Sequence, residues 1–258
     1  MPDTNNPGSR LYLQLDAIRK KARAAKTTTT AGKRVGVKLR KVLADVSGND
    51  ESETVKLFLF LVDLAKLARE AAEAIQTIPN IEHNTYIRPL QKLEKGLLST
   101  TVDILAKTFA KQVLTEIDML SLRACGDMLS AIYIDTAISE DDIAALQKDV
   151  DDLLKEVMKI NLPHHLRNFL IDNLEKIRQA LLGYRVRGNQ GIREVIDSVL
   201  GASFLRRDEL IEQAQDETNG QTIEKFFALI KKATEILSFA EKVKSLVGPA
   251  ISLLLPPK

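Results

Sequence analysis

The feature that most constrains this chain is a repeat of apolar residues at alternating steps of three and four. Ile143, Leu146, Val150, Leu153, Val157 and Ile160 follow it, and after "NLP" so do Leu166, Leu170, Leu174, Ile177 and Leu181. Such spacing places one apolar stripe along a helix. A strand would need alternation instead. Two such helices joined by a short turn should fold back as an αα-hairpin. Ser139 opens the first as its N-cap, with Asp142 three residues on, a short-armed capping box.

The same period runs almost everywhere, and no segment alternates convincingly. Residues 1–9 carry no pattern and are expected to be disordered. A helix follows from about Arg10 to Lys26, with Leu11, Leu15, Ile18, Ala22 and Ala25 on one face. "TTTTAG" breaks it, and a basic amphipathic helix is expected in "GKRVGVKLRKVL" at 32–43. Residues 53–78 are apolar around most of their girth, so other helices should surround them. Shorter helices are expected at 85–98, 191–200 and 204–216. A long one should run from Thr101 to Ile134, and a last one over about 222–247. "GYRVRGNQG" at 183–191 reads as a loop. The expectation is an all-α protein, an elongated bundle of about eight or nine helices with no sheet. Its divisions fall at 1–46, a basic arm; 47–136, a central bundle; and 137–258, a second helical region.

Composition agrees with that class. Aromatics are 5% and Trp is absent, so the core has to be built from Leu, Ile, Val and Ala. The single cysteine, Cys125, allows no internal disulfide and gives no reason to expect an oxidising compartment. The N-terminus lacks the apolar core of a secretory signal. The longest uncharged stretch, "SLVGPAISLLLPP", has thirteen residues with three prolines, whereas a bilayer span needs about 20. A cytoplasmic setting is expected, peripheral to the inner membrane face if lipid is the target.

Charge is unevenly distributed. Residues 1–44 hold eleven Lys/Arg against two acids, a net of +9, and the remainder carries −7. Arg19, Lys20, Lys21, Arg23, Lys33, Arg34, Lys38, Arg40 and Lys41 form the candidate anion-binding set. They are either a solvated face answered by acids of the same chain or a docking arm for a polyanion. Few aromatics accompany them, which favours phosphate-backbone contact over base stacking. Nucleic acid is therefore preferred, and an anionic membrane is the alternative. Arg185, Arg187 and Arg193 flank Gly188 and Gly191 before a helix start. They read as a second anion contact, or as part of a plain interhelical turn.

The catalytic inventory is thin. The chain has no phosphate-binding glycine loop, zinc spacing or nucleophile elbow. Adjacent His164 and His165 point about 100° apart on a helix and cannot chelate one ion together. The acids of 139–158 fall off the apolar seam and lack the Glu-x-x-His pairing of helical metal sites. The expectation is a non-enzymatic protein with no catalytic residue, metal or cofactor. The last helix carries Ile223, Phe226, Ile230 and Leu237 at heptad spacing, followed by Leu253 and Leu254 in an uncharged tail. That seam is read as packing onto the bundle itself or as the surface for a protein partner, a homo-oligomer or a membrane, with a homo-oligomer preferred.

Overall fold

The computed structural model describes residues 6–25, 28–30, 33–131 and 138–237, without the side chains of the residues between 28 and 35. The chain divides into two compact units, Met1–Asp135 and Thr136–Lys258. The all-α class holds, with eleven helices among the described residues.

The first unit contains α1 (Pro7–Ala24), β1 (Thr28–Thr30), β2 (Lys33–Val35), α2 (Leu39–Ser47), α3 (Thr54–Gln76), α4 (His83–Leu98), α5 (Ala106–Gln112) and α6 (Glu116–Ser130). Helix α1 starts earlier than its sequence suggests. Asn6 caps it, its Oδ1 accepting from the Ser9 amide at 2.8 Å. The Asn6 Nδ2 donates onward to the Gly126 carbonyl and to Ser130 Oγ on α6. Residues 7–9 are thus buried helix and not a disordered lead. A cap of this kind contributes about 1 kcal/mol. Leu11, Leu15, Ile18 and Ala22 are fully buried, and α1 packs against α3 and α6. The first helix of the expected arm is a core helix.

Two further expectations fail here for local reasons. The basic helix expected to begin near Gly32 starts instead at Leu39. Residues 28–30 and 33–35 form an antiparallel ribbon, Thr29 opposite Arg34, too small to pack a core. The first amides of α2 are anchored by the loop before α5: Leu39 N donates to the Ile104 carbonyl and Arg40 N to that of Val102, both at 2.8 Å. The long helix expected over 101–134 is two helices. Thr115 caps α6, its Oγ1 accepting from the Asp118 amide and donating to Asp118 Oδ2. This cap restarts the helix in a new phase. Ile117 and Leu120, which a helix continuous from Val102 and Phe109 would place on its apolar face, are therefore exposed, while Met119 and Leu122 are buried. Asp118 is itself buried and receives Lys92 Nζ of α4 on both carboxylate oxygens, at 2.9 and 2.7 Å.

Helix α3 packs on α1, α2, α4 and α6 through Leu57, Leu61, Leu64, Ala68 and Ile75. It is not surrounded as expected. Val55, Phe58 and Leu59 remain 71%, 44% and 52% exposed at its N-terminal end.

The second unit contains α7 (Glu140–Val157), α8 (His164–Leu182), α9 (Tyr184–Leu205), α10 (Arg207–Gln213) and α11 (Glu217–Ile236). Ser139 caps α7, accepting from the Asp142 amide and donating to its carboxylate. Helices α7 and α8 run antiparallel: Arg167 reaches the Ile160 carbonyl at the turn and Arg178 lies 4.0 Å from Asp151. Their facing seams are buried throughout. The expected loop at 183–191 is helix from Tyr184 onward, broken at Gly188, whose φ of 58° and ψ of −156° suit glycine alone.

Helix α11 carries the seam expected to face a partner. Ile223, Phe226 and Ile230 are fully buried, and Leu237 is 4% exposed, all within the core of this unit. The partner of the seam is α7. Lys225 and Lys232 of α11 meet Glu156 and Asp149 of α7 at 2.7 and 2.6 Å. Both pairs step by seven residues, in opposite directions along the chain. The heptad period is used inside one unit, whose core buries the four apolar side chains of the seam. Leu253 and Leu254 lie outside the described residues.

Candidate functional site

The candidate anion-binding residues of the first unit lie on the second half of α1, the ribbon and α2. Most have acids of their own unit beside them. Arg19 is largely buried and lies 3.8 Å from Glu116. Lys20 bonds Asp16 one turn earlier at 2.7 Å, and that carboxylate raises the ammonium pKa above its ordinary value. Lys21 donates to the Asp45 carbonyl at 3.0 Å and lies 3.9 Å from its carboxylate. Lys38 and Arg40 share Asp103, at 3.3 and 2.8 Å. Surface pairs such as these contribute about 0–1 kcal/mol each and stay open to exchange with another anion.

Arg23 and Lys41 differ. Both are exposed, and neither forms an ion pair with an acid among the described residues. Lys33 and Arg34 sit on β2 between them in sequence, with side chains outside the described set. From residue 17 to 44 the sequence contains ten Lys/Arg and no acid. Every acid that answers this run therefore comes from outside it.

The arginines of the second unit are not gathered into a phosphate cradle. Arg185 reaches Glu140 at 3.1 Å. Arg187 folds over Gly191, where an added Cβ would stand 2.5 Å from the Arg187 Cβ. Arg193 is half-buried on the continuing helix. Gly188 and Gly191 are buried, so the amides there do not form an open anion loop.

Among the described residues, no group of three or more His, Cys, Asp or Glu could hold a metal ion. Cys125 is fully buried, and desolvation pushes its thiol up to about 12, the opposite of an activated nucleophile. No described helix is long and apolar enough to cross a membrane.

Two surface features escaped the sequence. One is the exposed Val55, Phe58 and Leu59 group on α3. The other is a groove in the second unit of about 690 Å³ along one face of α8. Its signal was available: His165, Phe169, Asp172, Asn173 and Lys176 recur at helical spacing, a polar stripe beside the apolar seam.

No family model matches the chain, and no curated protein or solved structure matches it.

Proposed function

We propose that this is a non-enzymatic helical interaction protein of the cytoplasm that docks on a polyanion, nucleic acid, through one basic edge of its first unit. The edge comprises the second half of α1, the β1–β2 ribbon and the start of α2. It is part of a packed unit and not a detached arm.

The observation that carries the reading is the acid-free run from residue 17 to 44, within which Arg23 and Lys41 are exposed. Cations clustered without acids attract phosphates, and displacement of condensed counterions then drives binding. The pairs to Asp16, Asp45 and Asp103 hold lysines and arginines in fixed positions without removing them from solvent. Such binding is indifferent to sequence and steeply dependent on salt.

The test is fluorescence anisotropy with a labelled DNA duplex at about 50 and 200 mM salt. Tight binding at the lower salt, lost at the higher, is the expected result. Arg23→Ala with Lys41→Ala should weaken it and reduce the salt slope by about 1 per contact removed. Absence of binding at low salt, or an unchanged slope in the double variant, defeats the proposal. Anionic vesicles in a parallel titration separate lipid from nucleic acid. Binding to vesicles but not to duplex would assign the edge to a membrane surface instead.

A further inference from the structure

The solvent-facing side of α3 changes chemistry part-way along the helix. Its first turns present Val55, Phe58, Leu59 and Val62, spaced so that the four share one stripe. The first three are exposed and Val62 is half-buried. Lys66, one turn beyond Val62, continues the stripe as an exposed charge. Leu57, Leu61 and Leu64 are buried on the opposite side, so the helix needs the outer stripe for nothing inside its own unit. Scattered apolar residues on a surface need no explanation, but a contiguous stripe marks a contact.

The charges around the stripe are what single out an occupant. Val55 and Val62 lie equally far from the midpoint between Phe58 and Leu59, and Glu51 and Lys66 share that midpoint. Lys56 and Asp63, together on one flank, are centred one residue further on. Both charged pairs join an acid to a base. A second copy turned end for end about this centre therefore meets apolar side chains with apolar ones and each charge with its opposite. A twofold dimer requires such self-complementarity, because one patch serves both sides. Within one chain these charges are loosely held. Glu51 is exposed and forms no ion pair among the described residues. Lys66 comes no nearer to Asp63 than 3.9 Å, and Lys56 is held by Glu53 one turn earlier. Surface pairs of this kind exchange partners at little cost. Lipid and nucleic acid fit less well, because Glu51 and Asp63 at the edges of the stripe would face phosphates.

We propose that the protein forms a homodimer in which the α3 helices of two copies cross antiparallel at Phe58 and Leu59. Val55 of each copy packs beside Val62 of the other. Lys66 of each meets Glu51 of the other, and Lys56 meets Asp63. Four apolar side chains cover less than the roughly 800 Å² per subunit of a standard interface, so the dimer is weak and assembles at micromolar concentration and above. The face is independent of the basic edge and of the polyanion reading.

The test is sedimentation equilibrium of the full-length protein from about 1 to 300 µM, a span that brackets weak association. The apparent mass should rise from one chain toward two. Val55→Glu with Leu59→Glu, both at exposed positions, should hold it at one chain throughout and leave the melting temperature at the dilute end unchanged. Lys66→Glu and Glu51→Lys should each raise the Kd several-fold, and both are surface changes that the fold tolerates. An equimolar mixture of these two single variants should recover association, because each mixed dimer restores both pairs between positions 51 and 66. A change in net charge alone would not give that recovery. The proposal is overturned by a one-chain mass at every concentration, by a dimer that survives the double variant, or by no recovery in the mixture. It is also overturned if the parent protein stays at one chain and floats with phosphatidylcholine vesicles while the double variant does not, which would give the stripe to lipid.

Discussion

Gly8 of α1 and Gly126 of α6 meet backbone to backbone: a Cβ on Gly8 would stand 3.0 Å from the Gly126 nitrogen and 3.1 Å from its Cα. A Cβ on Gly126 would in turn lie 2.8 Å from Ser9 Oγ and 3.1 Å from the Ser9 nitrogen. Absence of side chains lets the two helices touch. That contact also brings the Asn6 cap within reach of the Gly126 carbonyl and Ser130. It is how the N-terminal helix becomes part of the core.

The relationship predicts opposite signs for one chemical change. In a helix interior Gly→Ala normally stabilises by about 1 kcal/mol. Gly201→Ala on α9, with nothing within 4 Å of the new methyl, should show a gain of about 0.5–1 kcal/mol. Gly126→Ala should instead destabilise by about 1–3 kcal/mol, because the methyl presses on backbone. Urea unfolding of the two variants checks this. A stabilising Gly126→Ala would mean that α1 is not held against α6 at this distance.

The α7–α11 contact should weaken in acid. Lys225 Nζ and Thr222 Oγ1 donate to Glu156, and the Lys225 bond foremost holds its carboxyl below the ordinary value of 4.5. A depressed folded pKa adds stability that is complete above the unfolded value and is lost as pH falls through the folded one. The loss therefore lies below about pH 4.5. Both side chains are partly exposed, so its size is under about 1 kcal/mol. Lys225→Ala should flatten the acid limb of stability against pH and move the Glu156 NMR titration up toward 4.5. An unmoved titration would show that the pair does not persist in solution.

What was legible in the sequence was whatever one element could specify alone. The seams of α7 and α8, the Ser139 cap and the turn at "NLP" are local, and the structure repeats them. What failed needed a second element to decide it. The Thr115–Asp118 cap competes with a continuous apolar spacing over 101–134, and the cap prevails because Lys92 neutralises Asp118 from α4. The segment 33–38 has helical spacing on paper, but backbone pairing with 102–106 fixes its start at Leu39. Charge was harder still. A count of Lys and Arg could not show that Asp45, Asp103 and Glu116 stand beside them. Nor could it show that the basic side chains facing the acids of α7 come from α8, α9 and α11.

Cys125 should be silent to thiol reagents in the folded protein. It is fully buried on α6, its Sγ 3.8 Å from the Tyr86 carbonyl, and desolvation raises its pKa to about 12. Thiolate is the reactive form, so at about pH 8 neither access nor ionisation favours attack. Ellman's reagent should detect no thiol on a timescale of minutes and one thiol per chain after unfolding in guanidinium. Prompt reaction without denaturant would show that α6 opens locally, and hydrogen exchange of its amides would then be correspondingly fast.

The heptad seam of α11 should act within one chain. Repeats of 3.5 residues signal a helix partner but do not say whether it belongs to another chain. Here Phe226 is fully buried, in edge-on contact with Phe227 at 5.4 Å between ring centres, inside a core shared with α7, α8 and α9. Truncating it leaves a cavity, so Phe226→Ala should cost about 3–5 kcal/mol of stability. If the seam were a subunit interface, the same change would lower the mass in solution and leave the monomer folded. Light scattering and denaturant unfolding on one sample distinguish these outcomes. The expected result is a large drop in unfolding midpoint, faster hydrogen exchange in α7, and the same mass as the parent protein under native conditions. A reduced mass with unchanged α7 protection would return the seam to an intermolecular role.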